Sequence, residues 1–219
     1  DLGAPHVSVT GNLKLAAAPL PATAAELIIL QEAIGERPVW LAASTHRTEE
    51  DIAGEVHSAL ADRLPGLLTL LAPRHPQRGD EVEQSLKRSG LIVARHSRGD
   101  KITADTDIYL VDATGLLGQL YRVSPLAFVG GSLIPHGGQN MLEAAQLGCA
   151  VLHGPHVDNF QSITSDLGAA GASREVANRE ELTLAVAELL GNREKLETMN
   201  QAAEAAASRS TCPSTNSMT

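Results

Sequence analysis

Short apolar runs alternate with amphipathic stretches along nearly the whole chain. The β-type runs fall at His6–Val9, Val39–Ala43, Leu67–Ala72, Leu91–Ala94, Asp107–Val111, Leu126–Val129 and Ala150–His153. Between and after them, apolar positions recur at helical spacing over Ala22–Ile34, Glu49–Arg63, Arg78–Ser89, Gly115–Tyr121, Asn140–Leu147, Phe160–Leu167, Arg179–Leu190 and Arg193–Ser208. Alternation of this kind predicts an α/β fold, a Rossmann-like and mostly parallel sheet with helices on both faces. In such sheets ligands sit outside the carboxyl ends of the strands. Polar residues collect there: Ser44-Thr-His46, Pro73-Arg-His-Pro76, Asp112-Ala-Thr-Gly115, Gly130-Gly-Ser132 and Gly154-Pro-His156. One polar strand end means little, but five form a rim. Pro19-Leu-Pro21 reads as a hinge before the first helix, and the Ala/Glu-rich helix Arg193–Ser208 as a surface helix.

The stretch from Phe128 to Glu143 concentrates the candidate chemistry. An apolar strand runs into Gly130-Gly-Ser132, then Gly137 and Gly138, and then opens a helix at Asn140. Glycine removes the Cβ that would keep a phosphate or sugar from the backbone. Asn140 stands where an N-cap belongs, so the helix's free N–H groups are expected to face an anion in the loop. Glu143, one turn on, is placed to accept from a ribose diol. A single Gly-Gly pair fits a tight turn better than an anion site; two pairs, a cap and a spaced carboxylate reverse that preference.

Neighbouring strand ends add to it. Pro73-Arg-His-Pro-Gln-Arg78 sets two guanidinium groups in a stiffened loop, and arginine donates bidentately to phosphate or carboxylate. Arg74 is the better placed, since Arg78 also fits the start of the next helix. Thr48 reads as an N-cap with Asp51 in the box position, which leaves His46 free for a site role. The Gly-Pro between His153 and His156 breaks any helix that would present both imidazoles together, so no metal site is read there. Asn159 more naturally opens the next helix and offers its amide to a ligand. Walker, Gly-x-Gly-x-x-Gly and Gly-x-Ser-x-Gly motifs are missing from their usual places.

Composition narrows the ligand. Aromatics make up 2% of the 219 residues, too few for base-stacking platforms, and 17 basic against 26 acidic residues give a net charge of −9. Nucleic acid is therefore not expected, and any anion is bound locally. Two cysteines, Cys149 and Cys212, make no disulfide framework and point to a reducing compartment. The chain opens on Asp1 and reads as a fragment or excised domain without a signal peptide. The last ten residues, 210–219, turn abruptly small and polar and read as a disordered or non-native tail.

Gly11-Asn-Leu-Lys14, Ala43-Ser-Thr-His46 with Glu49-Glu50, Pro73-Arg-His-Pro76, Phe128-Val-Gly-Gly-Ser132, Gly137-Gly-Gln-Asn140 with Leu142-Glu143, and Gly154-Pro-His156 with Asn159-Phe160 occur in this order. The ordered set resembles the carboxyl-terminal half of bacterial 3-deoxy-D-manno-octulosonic acid (Kdo) transferases. The resemblance implies one half of a GT-B glycosyltransferase, with residues 1–209 as the donor-nucleotide-binding domain. It implies CMP-Kdo as donor and no metal or cofactor. The lipid A precursor would be reached through the missing amino-terminal domain, which would also carry the catalytic base. The whole protein would work at the cytoplasmic face of the bacterial inner membrane in lipopolysaccharide biosynthesis. This fragment would be soluble, inactive alone and without membrane contact of its own. Carried over, Gly130, Gly131 and Ser132 lie near the phosphate and sugar acid, and Arg74 near the donor's negative charge. Asn140 and Glu143 hold the nucleotide side, with Asn159 close by; His46 and Gly138 complete the set. Gln139 stands where the family usually has His, and Met141 and Ala144 where it has Pro. A UDP-sugar transferase or epimerase shares the glycine loop and the helical Glu, and a non-catalytic nucleotide-binding module is the alternative of a different class.

Overall fold

The computed structural model describes residues 18–211. The expected strand His6–Val9, the Gly11–Lys14 motif, Cys212 and most of the polar tail lie outside the described residues. Among the described residues, seven strands form one sheet: β1 (Val39–Thr45), β2 (Leu68–Pro73), β3 (Val93–Arg95), β4 (Ile108–Leu110), β5 (Leu126–Val129), β6 (Ala150–His153) and β7 (Ser173–Glu175). Their order is β3-β4-β2-β1-β5-β6-β7, and every neighbouring pair is parallel.

The central strands are apolar on both faces, as a sheet covered twice requires. Alternation along β1 feeds two cores: Leu41 and Ala43 enter one, Trp40 and Ala42 the other. Helices α1 (Ala24–Ile34), α4 (Leu117–Val123), α5 (Leu142–Ala145) and α6 (Gln161–Ala169) cover the first face. The second is covered by α2 (Glu49–Leu60), α3 (Gly79–Arg88) and α7 (Arg179–Gly191). Acids open α3 and bases close it, matching its dipole, while Val82 and Leu86 turn inward one turn apart. Asn178 caps α7 by accepting from Glu181 N at 3.0 Å.

Three sequence expectations are corrected. The final helix, α8 (Arg193–Thr211), is not a plain surface helix and runs past the expected boundary at Ser208. Leu196 and Met199 pack in one core, Ala203, Ala206 and Ala207 in the other, and Asn200 Nδ2 donates to Pro125 O and Gly148 O beneath β5 and β6. It straps the two layers together at the amino ends of the strands. Second, β7 was not expected, because Ser173-Arg-Glu175 is a polar edge strand without an apolar signal. Third, the segment around Pro19-Leu-Pro21 is held: Arg122 Nη1 donates to Leu20 O at 2.8 Å, and Pro21 O sits where a Cβ on Gly118 would be.

Candidate functional site

The chain leaves β1 toward β2 on one side of the sheet and returns at β5 on the other. Loops after these two strands therefore diverge and open a crevice at their carboxyl ends, the usual ligand position in such a sheet. The β1 loop is shaped by an irregularity: the β1–β2 register shifts between Ala43 and Thr45. Ser44 and Thr48 both take positive φ, at 52° and 79°, which strains a residue bearing a Cβ by about 1–2 kcal/mol. Thr48 makes no side-chain cap, contrary to expectation, and Asp51 accepts instead from Ser85 Oγ at 2.6 Å.

Glu49 is the hub that sequence reading left out of the site. Its carboxylate is 1% exposed. Oε2 accepts from His46 N at 2.9 Å and Gly131 N at 2.7 Å, and Oε1 from Ser132 N at 3.1 Å and Leu133 N at 3.0 Å. The backbone donors expected to cradle a phosphate at Gly130–Ser132 are thus already committed. Gly130 N donates to Ala43 O at 2.8 Å, within the sheet. A Cβ on Gly130 would stand 2.7 Å from Thr45 Cα and 2.8 Å from Glu49 Oε2, so this glycine serves the approach of β1 and Glu49.

Above this floor stands a cluster of rings. His46 is buried, its ring 4.0 Å from that of His136 and 5.6 Å from that of His75. Gln139 Nε2 lies 3.1 Å from His46 Nε2; with the amide donating, the imidazole proton sits on Nδ1. Burial, then the neighbouring His136 and His75, then Arg74 and Arg78, lower the His46 pKa to about 4, so the ring is neutral at physiological pH. Gly131 has φ +65°, and a Cβ there would lie 3.2 Å from His136 Cδ2 and 3.3 Å from His46 Cδ2.

Arg74 is exposed, and among the described residues its guanidinium makes no hydrogen bond or ion pair. It acts through space on His46 and on Glu143. Arg78, by contrast, is taken up by Glu50 at 2.7 Å and Glu81 at 3.2 Å. Burial raises the Glu143 carboxyl, against the hydrogen bond from Asn140 Nδ2 at 3.0 Å and the charge of Arg74. Asn140 Oδ1 also accepts from Leu142 N at 3.2 Å. The helix it opens is only Leu142–Ala145, not the expected Asn140–Leu147, so its N-terminus carries little dipole.

The loop's second glycine pair is bound to its neighbours. Gly138 N donates to Gly131 O at 2.8 Å, and Asn159 N to Gly137 O at 3.0 Å. The Asn159 side chain fills the space a Cβ on Gly137 would take. His156 N reaches Ser132 O at 2.9 Å, and Gly154 N donates to Ser132 Oγ at 2.8 Å. The loops after β1, β5 and β6 thereby form one unit holding His46, Gly131, Ser132, Gly138 and Asn159, with Asn140 and Glu143 at its end. The rim is closed at Asp112, which accepts from Arg95 Nε at 2.6 Å and Ser97 Oγ at 2.7 Å. Sequence reading missed Glu49 and His136; the only sign of the first was its place in the Glu49-Glu50 motif, and of the second its place inside the stretch from Phe128 to Glu143. Among the described residues no group of three or more His, Cys, Asp or Glu is placed to hold a metal, and no helix is long and apolar enough to cross a membrane.

No protein-family model matches the chain. It is 39% identical over 168 residues to 3-deoxy-D-manno-octulosonic acid transferase of Haemophilus influenzae, covering 76% of this chain and 39% of that protein. Against the Bordetella pertussis protein of the same name it is 36% identical over 207 residues, covering 93% of this chain and 48% of the relative. The chain thus spans less than half the length of these curated relatives. Among solved structures it superposes on the carboxyl-terminal CMP-Kdo binding domain of WaaA from Acinetobacter baumannii with a TM-score of 0.79 and 31% identity, covering 83% of this chain and 96% of that domain. The parallel sheet is that of one Rossmann-like half of a GT-B glycosyltransferase. A solved domain matched over nearly its full length and two transferases matched over most of this chain give one answer: the chain belongs to the 3-deoxy-D-manno-octulosonic acid transferase family.

Proposed function

We propose that this chain is the donor-binding half of a glycosyltransferase that moves Kdo from CMP-Kdo to a lipid A precursor. The observation that carries the reading is the pairing of unused groups at the β1/β5 crevice. Arg74 offers a guanidinium without a partner among the described residues, and Glu143 a half-buried carboxylate held by Asn140. A nucleotide monophosphate linked to a sugar acid has an anion for the first and a ribose diol for the second. Likeness to a CMP-Kdo binding domain supports this donor over a UDP-sugar.

The chemistry follows from the donor. Departure of CMP needs stabilisation of charge on its phosphate. With the loop amides of Gly131 and Ser132 taken by Glu49, Arg74 and the Nδ1–H of neutral His46 are the groups left for that task. Gly130, Gly131, Ser132 and Gly138 act by shaping the loop, and Asn159 by holding it against the β6 loop. The base for the acceptor hydroxyl and the lipid contact belong to the other half of the protein, at the cytoplasmic face of the inner membrane. This half needs no metal and transfers no sugar alone.

Calorimetry on the chain with CMP, CMP-Kdo and UDP tests the reading. CMP and CMP-Kdo should bind and UDP should bind less. No heat with either cytidine ligand at millimolar concentration overturns it. Glu143→Ala should weaken CMP by about tenfold through loss of charge-assisted hydrogen bonds, while Arg88→Ala, at the exposed end of α3, should leave it unchanged. Equal losses would sink the role of Glu143.

A further inference from the structure

An acid at the first position of a helix ordinarily stands in solvent near the helix end. Glu49 opens α2 and is instead 1% exposed, with four backbone N–H groups donating to its two oxygens at 2.7–3.1 Å. This satisfies the carboxylate fully. Its donors come from two places: His46 in the loop after β1, and Gly131, Ser132 and Leu133 in the loop after β5. These loops leave the sheet at its switch point. The bridge therefore spans the crevice floor and sets how far apart its two walls stand. His46 belongs to one wall, and Gln139 and His136 to the other; the rings approach to 4.0 Å and the nitrogens of His46 and Gln139 to 3.1 Å.

The geometry points to Glu49 as a positioning residue for the nucleotide donor: its carboxylate locks the β1 and β5 loops together so that Arg74, His46 and the histidine-bearing loop meet the phosphate in one arrangement. This rests on the donor-binding reading above. Glu49 does not touch the ligand and acts through the loops it joins. A misplacement of about 1 Å at such a site suffices to lose most of the binding.

Glu49→Gln keeps one acceptor oxygen and turns an amide toward N–H donors, so the loops should part while the cores persist. The full chain is compared with Glu49→Gln and with Val186→Ala, a core change on α7 that touches none of the crevice's hydrogen bonds and serves as a stability control. CMP affinity by calorimetry should fall by about tenfold or more in Glu49→Gln and stay within about twofold in Val186→Ala. Nuclear magnetic resonance titration of the His46 ring gives a second readout, because its burial between the two loops, and then His136, His75, Arg74 and Arg78 facing it, set where it titrates. Its titration should move from about 4 toward the ordinary 6.5 in Glu49→Gln and stay in place in Val186→Ala.

A wild-type chain that binds no CMP overturns the donor reading, and the His46 titration then still reports on the clamp. A wild type that binds, beside a Glu49→Gln that binds equally well with His46 unmoved, overturns the role of Glu49 alone. Equal losses in both variants overturn it as well, since stability then explains them. If Glu49→Gln does not fold, Glu49→Asp, one methylene shorter, takes its place under the same criteria. Failure of both to fold assigns Glu49 to folding and overturns the inference.

Discussion

Glu50 tests the electrostatics of the crevice wall through the pH dependence of stability. It is 2% exposed; Oε1 accepts from Arg78 Nη1 at 2.7 Å, while Oε2 is buried without a hydrogen-bond partner among the described residues. Burial pushes its pKa from 4.5 up to about 7, and the Arg78 guanidinium opposes this only in part. The native state thus holds the proton more tightly than the unfolded chain. The resulting stabilisation is complete below pH 4.5 and is lost as pH rises through 7. Glu50→Gln mimics the protonated form at every pH. From the two pKa values, the stability of Glu50→Gln relative to wild type should rise by about 2.5 kcal/mol between pH 5 and pH 8. His46 works in the opposite sense. Its native pKa of about 4 against 6.5 unfolded adds about 2 kcal/mol of stability over the same interval. In the wild type these two contributions nearly cancel; in Glu50→Gln the His46 contribution is no longer offset by Glu50. Urea unfolding of both proteins at the two pH values measures this. A relative stability constant to within about 0.5 kcal/mol would refute the buried, partly unpaired state of Glu50.

Two further changes probe the packing around the site. Gly131→Ala forces a Cβ onto φ +65° beside His136 and His46, whereas Gly115→Ala meets φ +83° in open space. Each should lose about 1 kcal/mol for the backbone, and Gly131→Ala about 1 kcal/mol more for the crowded rings; equal losses in urea unfolding would show that the rings yield freely. Cys149 donates its thiol to Tyr121 O and Ser124 O, and burial pushes its pKa up to about 12. In a Cys212→Ser background it should react with a thiol reagent only at the rate of unfolding, and prompt labelling of the native chain would contradict its burial.

Much of the framework was legible from the sequence. β5 and β6 fall where expected because Leu126–Val129 and Ala150–His153 are unbroken apolar runs bounded by turn residues. β7 left no trace because pairing along one edge orders Ser173-Arg-Glu175 without burying an apolar face. The helix after the glycine loop was read too long. Positive φ at Gly137, Gly138 and Gly148 leaves room for one turn only, while Ala, Leu and Glu over this span suit a longer helix by propensity. Thr48 fails as a cap because the loop after β1 must bend back toward β5, and that bend takes its backbone to φ 79°. Arg74, His46, Asn140 and Glu143 were singled out because their residue types suit an anion and a sugar at strand ends, and the structure gathers them around the β1/β5 crevice. Local pattern could not reveal that Glu49 would take the loop's amides. That depends on the partner 82 residues away.

Glu49 and Glu50 are neighbours on one helix turn, equally buried, yet their surroundings differ in kind. Four backbone donors surround Glu49, a number that matches the acceptor capacity of a carboxylate. Glu50 has one arginine and an orphan oxygen, so its charge is poorly supported. The first arrangement joins two loops and makes the crevice rigid without spending a ligand-facing group. The second places a proton-sensitive carboxylate beside Arg78, the guanidinium that the site does not use. Arg74, whose N donates to Thr45 O at 2.9 Å just past β2, keeps its guanidinium uncommitted among the described residues, while Glu49 is occupied by amides, Glu50 by Arg78 and Glu143 by Asn140. In a chain of net charge −9, an uncommitted cation beside carboxylates that already have partners leaves the crevice open to an anion from solution.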